Sequence, residues 1–205
     1  MPGSLTIVSE DAPSELLAEL IVRYVDPEAT ITNRLGKQGI GFIAHRLRAL
    51  NEAARGMRIL VIADRDRAEN CPIQMIQEWI GGPQHLNLVV RLAEMETEAW
   101  IIADRDRLAE FLEIPVNRIP QNPDTLQDAK EALVNLARLS RSSRVRDDMC
   151  PLPHAAARVG PAYNQRLDEF LRTRWRAQVA ARQSPSLDRA QRRIRELCME
   201  RPGLY

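Results

Sequence analysis

The chain contains few of the residues that form disulfide frameworks or zinc sites. Its three cysteines are widely spaced and odd in number, and its three histidines are equally scattered, so the sequence predicts no structural zinc and a reducing environment. No apolar run approaches the roughly 20 residues of a membrane span. The N-terminus begins with a strand pattern, where a basic region and a signal core would otherwise be expected. We therefore expect a cytoplasmic protein without a membrane partner.

A strong overall charge is absent as well. The formal net charge of +1 over 205 residues gives no general attraction to polyanions, so any charged surface must come from local clustering. The second half contains two arginine-rich stretches: Arg138, Arg141, Arg144 and Arg146, then Arg189, Arg192, Arg193 and Arg195. They could contact the phosphates of DNA or RNA, and solvated helix faces of alternating charge explain them at least as well.

Hydrophobic residues make up 44% of the chain, which is enough for a real core. Strand-like runs are predicted at 5–9, 29–32, 58–63 and 86–92, and a helical pattern follows each of them. No major strand is expected after about Leu92. This order predicts an α/β fold, in which a four-stranded, mostly parallel sheet is flanked by helices and followed by a C-terminal helical extension. We place the core at residues 1–115 and the extension, packed on the core, at 116–205.

Some segments carry more local predictions. The second strand is the weakest, and a loop with three glycines, Gly36, Gly39 and Gly41, follows it. In the extension, helices are predicted at 126–139 and 164–181. A last helix is predicted to open at 184–186, where either serine could cap it and Pro185 could occupy the first turn.

Acidic residues follow three of the predicted strands. They are Glu10 and Asp11 after the first, Asp64 and Asp66 after the third, and Glu94, Glu96 and Glu98 after the fourth. Because ligands gather at the carboxyl ends of parallel strands, acids that are far apart in the sequence can meet there. Such a cluster of carboxylates is costly unless a proton or a cation neutralises it. Since these ligands are all oxygen atoms, the sequence predicts a Mg²⁺ or Mn²⁺ site.

Each cluster also has a structural explanation. Asp64 and Asp66 can share one cation if the chain stays extended after the strand, yet they could instead cap the turn into the next helix. Asp11 or Glu15 could simply favour the N-terminus of the following helix. Glu98 could merely begin a helix.

A near-repeat that contains Ala-Asp-Arg-Asp-Arg occurs twice, as Val-Ile-Ala-Asp-Arg-Asp-Arg at 61–67 and as Ile-Ile-Ala-Asp-Arg-Asp-Arg at 101–107. The first copy ends a strand, whereas the second lies within a helical pattern, and the flanking sequences differ. We assign chemistry only to the first copy. Asp104 and Asp106 are expected to be solvated residues on a helix surface.

Lys37 and Lys130 are the only lysines in a chain that otherwise uses arginine. Either could offer a compact cation to a phosphate or a transition state, although a solvated surface position is the alternative for both. Lys37 follows Gly36 in the glycine-containing loop, which lacks the Gly-Lys-Ser/Thr ending of a nucleotide-binding P-loop. No ATPase is predicted.

Two stretches resemble the Toprim domain, whose pattern is a glutamate after the first strand and Asp-x-Asp after the third. They are Ile7-Val8-Ser9-Glu10-Asp11, with Ser14-Glu15 beyond it, and Leu60-Val61-Ile62-Ala63-Asp64-Arg65-Asp66-Arg67. Further segments make most of the chain similar to a bacterial family of uncharacterised Toprim-like proteins: Glu96 to Asp104, Asp128 to Glu131, Gly160 to Asn164 and Ser184 to Leu187. Such proteins are related at the domain level to overcoming-lysogenization-defect nucleases.

The resemblance implies Mg²⁺-dependent phosphodiester chemistry, in which Glu10 corresponds to the Toprim glutamate and Asp64 and Asp66 to its paired aspartates. Two divalent ions about 4 Å apart would activate a water and stabilise the leaving oxygen. The usual glycine after the glutamate is Asp11 here, and the second acid, Glu15, lies one place later than in the common Glu-Gly-x-x-Asp form. Either Glu10 or Asp11 could therefore be the metal ligand.

The predicted site thus has two overlapping sets of residues. The catalytic set is Glu10, Asp64, Asp66 and Lys37, and the metal-binding set is Glu10, Asp11, Asp64, Asp66, Glu96 and Glu98. The leading hypothesis is a metal-dependent nuclease or phosphodiesterase that acts on DNA or RNA. Some Toprim relatives are encoded beside ATPases in phage-defence systems, so the resemblance also implies an effector role in such a complex.

A second hypothesis is a non-catalytic subunit that keeps the fold and binds an ATPase partner through its helical tail. An oligomer is compatible with either hypothesis. A haloacid-dehalogenase-type phosphatase fits less well, because Ala68 stands where that class normally places Thr or Val. A response-regulator receiver fits less well because no lysine follows a late strand.

Overall fold

The computed structural model describes residues 4–64, 71–93 and 97–199. Four strands form one sheet: β1 (Ser4–Ser9), β2 (Thr30–Gly36), β3 (Arg58–Asp64) and β4 (Leu88–Ala93). Their order is β2-β1-β3-β4, and every pairing is parallel. The predicted four-stranded parallel sheet is confirmed, and the described residues beyond β4 form no further strand.

Three helices alternate with the strands: α1 (Ala12–Val25), α2 (Gly39–Ala53) and α3 (Pro72–Ile80). The core on one face of the sheet joins Ile43 and Leu47 of α2 and Ile80 of α3 to Val61 of β3 and Val90 of β4. β3 is buried along its whole length. A central strand that is covered on both faces needs apolar residues at every position, which explains its continuous apolar run.

The second strand is longer than its sequence suggests. The sequence pattern predicts a strand at 29–32 and a glycine loop after it, but β2 continues to Gly36 and α2 already begins at Gly39. β2 lies at the edge of the sheet, and Asn33 and Arg34 within it are exposed. Because backbone pairing with β1 holds this strand, its side chains carry little of the apolar signal on which strand prediction depends.

The rest of the described chain is helical, as predicted. The helices are α4 (Thr97–Ile102), α5 (Arg105–Leu112), α6 (Ala129–Arg138), α7 (Ser143–Met149), α8 (Tyr163–Thr173), α9 (Ala177–Gln183) and α10 (Pro185–Met199), with 3₁₀ turns at Val116–Arg118 and Pro123–Thr125. Ser184 caps α10 by accepting a hydrogen bond from the backbone N–H of Leu187 at 3.1 Å. Within the described residues, no helix is both long and apolar enough to cross a membrane.

The single helix predicted at 164–181 is wrong, because α8 and α9 are separate. The backbone N–H of Arg176 donates to the carboxylate of Asp104 at 2.8 Å, and that of Trp175 donates to the carbonyl of Phe170. These bonds give the residues between the helices partners outside a continuous helix.

The chain divides into two compact units. Among the described residues, the first unit contains 4–64, 71–93 and 188–199, and the second contains 97–187. The first unit holds the whole sheet with α1, α2 and α3, and the second holds α4 to α9. The division of the chain at residue 115 stays a prediction.

Candidate metal site at the carboxyl ends of β1 and β3

Glu10, which follows β1, and Asp64, which ends β3, lie at the same end of the sheet. The two strands are parallel neighbours, with Ser9 paired to Ile62, so Glu10 follows one strand close to the point where Asp64 ends the other. The backbone N–H of Asp64 donates to Oε2 of Glu10 at 3.0 Å. The structure therefore brings Glu10 to Asp64 across 54 residues of sequence.

Asp11 has a different local role. Its side chain accepts a hydrogen bond from the backbone N–H of Ser14 at 2.9 Å, and its backbone is extended, so it is the N-cap of α1. Pro13 occupies the first turn, where a missing N–H costs nothing. The structure supports the capping explanation for Asp11, and Glu10 is the acid of this pair that contacts β3.

The loop between β2 and α2 crosses the end of β1. Gly36 has φ 108°, and a Cβ placed there would lie 2.0 Å from the carbonyl oxygen of Ser9, so only glycine fits this close approach. Lys37 has φ 59° and donates its backbone N–H to the same Ser9 carbonyl at 2.9 Å. The backbone N–H of Gly39 then donates to the carbonyl of Glu10 at 3.1 Å.

These contacts place Lys37 beside an acid of α1. Its Nζ lies 3.2 Å from Oε1 of Glu15, whose side chain is only 14% exposed. The other carboxylate oxygen of Glu15, Oε2, is buried and has no hydrogen-bond partner among the described residues. The same is true of Oγ of Ser9, the last residue of β1.

Glu15 and Ser9 belong to the candidate site, and neither is in the predicted site sets. A sequence signal for Glu15 exists, because it lies four residues after Asp11 and so returns to the same side of α1 one turn later. Ser9 is a polar residue at the end of an otherwise apolar strand, which is a weaker signal.

The remaining predicted metal ligands are Asp66, Glu96 and Glu98. Asp66 and Glu96 lie outside the described residues, as does Glu94. Glu98 lies in the second unit, where it is 4% exposed. The hydroxyl of Tyr163 donates to its Oε1 at 3.2 Å, and Nζ of Lys130 lies 3.5 Å from the same atom. Metal binding by Glu98 stays a prediction, and Lys130 pairs with this carboxylate.

A hard divalent cation fits the kind of donors found at this edge of the sheet. Glu10 and Asp64 supply carboxylate oxygens, and Oε2 of Glu15 is buried without a hydrogen-bond partner among the described residues. Taken alone, however, the described residues contain no group of three or more His, Cys, Asp or Glu side chains placed to hold a metal ion. A complete site would need a further ligand from outside the described residues, and Asp66 is the one that the sequence predicts.

Neither the protein-family models, nor the curated proteins, nor the solved structures contain a match to this chain. The resemblance to Toprim proteins stays a prediction based on the quoted residues.

Proposed function

We propose that this protein is a divalent-metal-dependent phosphodiesterase that acts on nucleic acid. The observation that carries this proposal is the hydrogen bond from the backbone N–H of Asp64 to the carboxylate of Glu10. It joins the acidic ends of two neighbouring parallel strands, and ligands of open α/β sheets bind at that edge.

Electrostatics favours a cation there. Asp64 is only 9% exposed, and the Glu10 carboxylate lies at its backbone. Two carboxylates about 4 Å apart repel by roughly 4 kcal/mol at an effective dielectric of 20, so positive charge stabilises such a pair. Oxygen ligands select Mg²⁺ or Mn²⁺ rather than zinc.

The residues around the two acids have separate roles in this proposal. When bound, the divalent cation would polarise a phosphodiester and activate a water molecule. Glu10 and Asp64 would hold the cation, with Asp66 as the further acid of the pair. Glu15 holds the ammonium group of Lys37 at 3.2 Å, and this ammonium group would contact a non-bridging phosphate oxygen of the substrate.

The arginines of α10 supply a reason to favour a polyanionic substrate. The described part of α10 from residue 188 belongs to the same unit as the candidate site. Arg189 is exposed, and the side chain of Arg192 is 61% exposed. Exposed arginines in the unit that carries the acids are suited to contact the phosphates of DNA or RNA.

The test is a cleavage assay on single-stranded and double-stranded DNA and RNA with Mg²⁺ or Mn²⁺. Asp64→Asn should lower the cleavage rate by about 100-fold or more, because it removes a charged ligand without changing the shape of the side chain. The matched control is Asp106→Asn, in the second copy of the Ala-Asp-Arg-Asp-Arg motif, where the aspartate is exposed. Equal cleavage by the wild type and Asp64→Asn would reject the site.

The second candidate function is a non-catalytic subunit that binds an ATPase partner. Two observations favour it: Asp11 caps α1 where Toprim domains usually have glycine, and Lys37 pairs with Glu15. Titration calorimetry with Mn²⁺ separates the two candidates. Cation binding that is lost in Asp64→Asn supports the enzyme, whereas no cation binding and no cleavage support the subunit. The ATPase partner and the phage-defence role are implied by the resemblance alone.

A further inference from the structure

A groove of about 290 Å³ lies in the first unit, and its lining includes none of Glu10, Glu15 and Asp64. Its walls include Ile73, Ile76 and Ile80 of α3 and residues 89–91 of β4. Arg91 of β4 and Arg193 of α10 both contribute to its lining. The groove therefore combines an apolar wall with two guanidinium groups.

Arg91 is the unusual member of this set. It interrupts the apolar strand β4 and is mostly buried, and its Nε is buried without a hydrogen-bond partner among the described residues. A buried polar group without a partner costs free energy, and the cost is greater when the group is charged. A charged residue of this kind in an apolar strand weakens the fold unless a bound group supplies it with a hydrogen-bond partner.

Among the described residues, three charged side chains affect Arg91, and two of them are positive. Burial lowers the pKa of its guanidinium, and the positive charges of Arg193 and Arg189 lower that pKa further. Glu196 acts in the opposite direction, but its carboxylate is paired with Arg193. An anion in the groove would relieve this repulsion, and guanidinium groups bind phosphate oxygens in a bidentate manner.

The isoleucines of α3 in the lining favour a ligand that has an apolar body. Ile73 is 66% exposed although it is a large apolar residue, while Ile80 is buried and Ile76 is partly buried. The volume lies near the lower end of the range for ligand sites, about 300 to 1,000 Å³. A ligand the size of a mononucleotide matches that volume, whereas a longer polymer does not.

We propose that this groove binds a small phosphate monoester, with the phosphate on Arg91 and Arg193 and an apolar or aromatic body against the isoleucines of α3. A phosphate dianion matches two guanidinium groups better than a singly charged carboxylate does. Binding here does not depend on the metal-dependent reaction proposed above, because the residues of the two sites are different.

The test uses adenosine 5′-monophosphate, adenosine and inorganic phosphate as probes of the full-length protein, by titration calorimetry and by thermal melting. The nucleotide should bind roughly tenfold or more tightly than adenosine or inorganic phosphate. Only the nucleotide has both a phosphate for the two arginines and a body for the isoleucines of α3. Its affinity should fall as salt is added. Equal affinity for adenosine would overturn the role of the arginines, and equal affinity for inorganic phosphate would overturn the role of the apolar wall.

Arg91→Met tests the charge, since methionine keeps an unbranched apolar side chain without the guanidinium. The variant should bind the nucleotide roughly tenfold or more weakly than the wild type does, and in the absence of ligand it should melt at a higher temperature. A purely structural role for Arg91 would instead lower the melting temperature. Arg193→Gln should weaken binding as well and serves as the second variant should Arg91→Met not fold.

Arg192→Gln is the matched control, because Arg192 neighbours Arg193 on α10 but pairs with Asp188 at the surface. It should leave the affinity unchanged. Nucleotide binding within twofold of the wild type in both Arg91→Met and Arg193→Gln would overturn the proposal, as would the absence of binding by the wild type.

Discussion

At the scale of single residues, the two aspartates of the second Ala-Asp-Arg-Asp-Arg motif have opposite environments. Asp106 is exposed, as predicted, but the prediction for Asp104 is wrong, because Asp104 is fully buried. Its carboxylate accepts hydrogen bonds from the backbone N–H of Arg176 at 2.8 Å and from its guanidinium at 2.7 and 3.0 Å. A buried carboxylate needs such partners, and here a residue between α8 and α9 supplies them.

Asp104→Asn should therefore destabilise the protein, by about 2 kcal/mol, because it removes the charge that accepts three hydrogen bonds. The neighbouring change Asp106→Asn should alter stability by less than about 0.5 kcal/mol, since an exposed side chain loses little. Urea denaturation followed by circular dichroism measures both values. Equal stability of the two variants would show that the buried pair contributes nothing.

At the scale of elements, the turn from β2 into α2 decides where Lys37 lies. Gly36 passes so close to the carbonyl of Ser9 that a side chain has no room, and Lys37 adopts a left-handed backbone conformation directly after it. This geometry brings the lysine to Glu15, which lies 22 residues away in the sequence. The site therefore depends on a backbone feature as much as on its charged groups.

Gly36→Ala should destabilise the protein by about 3 kcal/mol or more, because the new Cβ would overlap the backbone and the residue would keep a positive φ. Gly41→Ala is the matched control: Gly41 lies in α2 with open space around its Cα, and alanine there should stabilise the helix by up to about 1 kcal/mol. Both values come from chemical denaturation. A Gly36→Ala protein as stable as the wild type would contradict the close approach to Ser9.

At the scale of the whole molecule, the first unit is assembled from both ends of the described chain. Residues 188–199 of α10 belong to it together with the sheet, although more than 90 residues separate them from β4. Ile194 and Leu197 of this segment are buried, and so is Cys198. The end of α10 is thus part of the core of the first unit rather than an appendage.

The reactivity of the cysteines can test whether this end of α10 is buried. Burial raises the pKa of the Cys198 thiol to about 11, and Cys71 is exposed. At pH 8 only about one thousandth of Cys198 would be thiolate, so iodoacetamide should modify it at least about tenfold more slowly than Cys71. Mass spectrometry of the labelled peptides measures the rates, and labelling in denaturant is the control. Equal rates in the native protein would contradict burial of this end of α10.

Because the pKa of the Cys198 thiol is raised in the folded protein, the stability of the fold should depend on pH. In the unfolded chain the thiol of Cys198 has its ordinary pKa of 9.0, whereas in the folded protein its pKa is about 11. The unfolded state therefore binds fewer protons in this window, and the stability contributed by Cys198 should fall as pH rises from 9 to 11. Cys198→Ala should flatten that part of the stability curve, as measured by urea denaturation at several pH values.

Much of the fold is predictable because its signals are local. The apolar run of β3, the helical period of α1 and the Ser-Pro start of α10 each depend on neighbouring residues. β2 is less predictable, because an edge strand can be polar and still pair through its backbone. Of the site, the meeting of Glu10 with Asp64 follows from the topology of parallel strands, while the cap at Asp11 and the pairing of Glu15 with Lys37 depend on side-chain geometry.

The order of strands and helices, and the presence of acids at the strand ends, were determined by the amino-acid sequence alone, since periodicity and chain order are properties of short segments. Only the tertiary structure decided that Asp104 is buried while Asp106 is exposed, and that Arg91 and Arg193 line one groove. The reason is physical: burial and ion pairing depend on which distant segments come into contact, as Asp104 and Arg176 do across 72 residues. Asp104 and Asp106 are only two residues apart in the sequence, yet they have different environments in the folded protein.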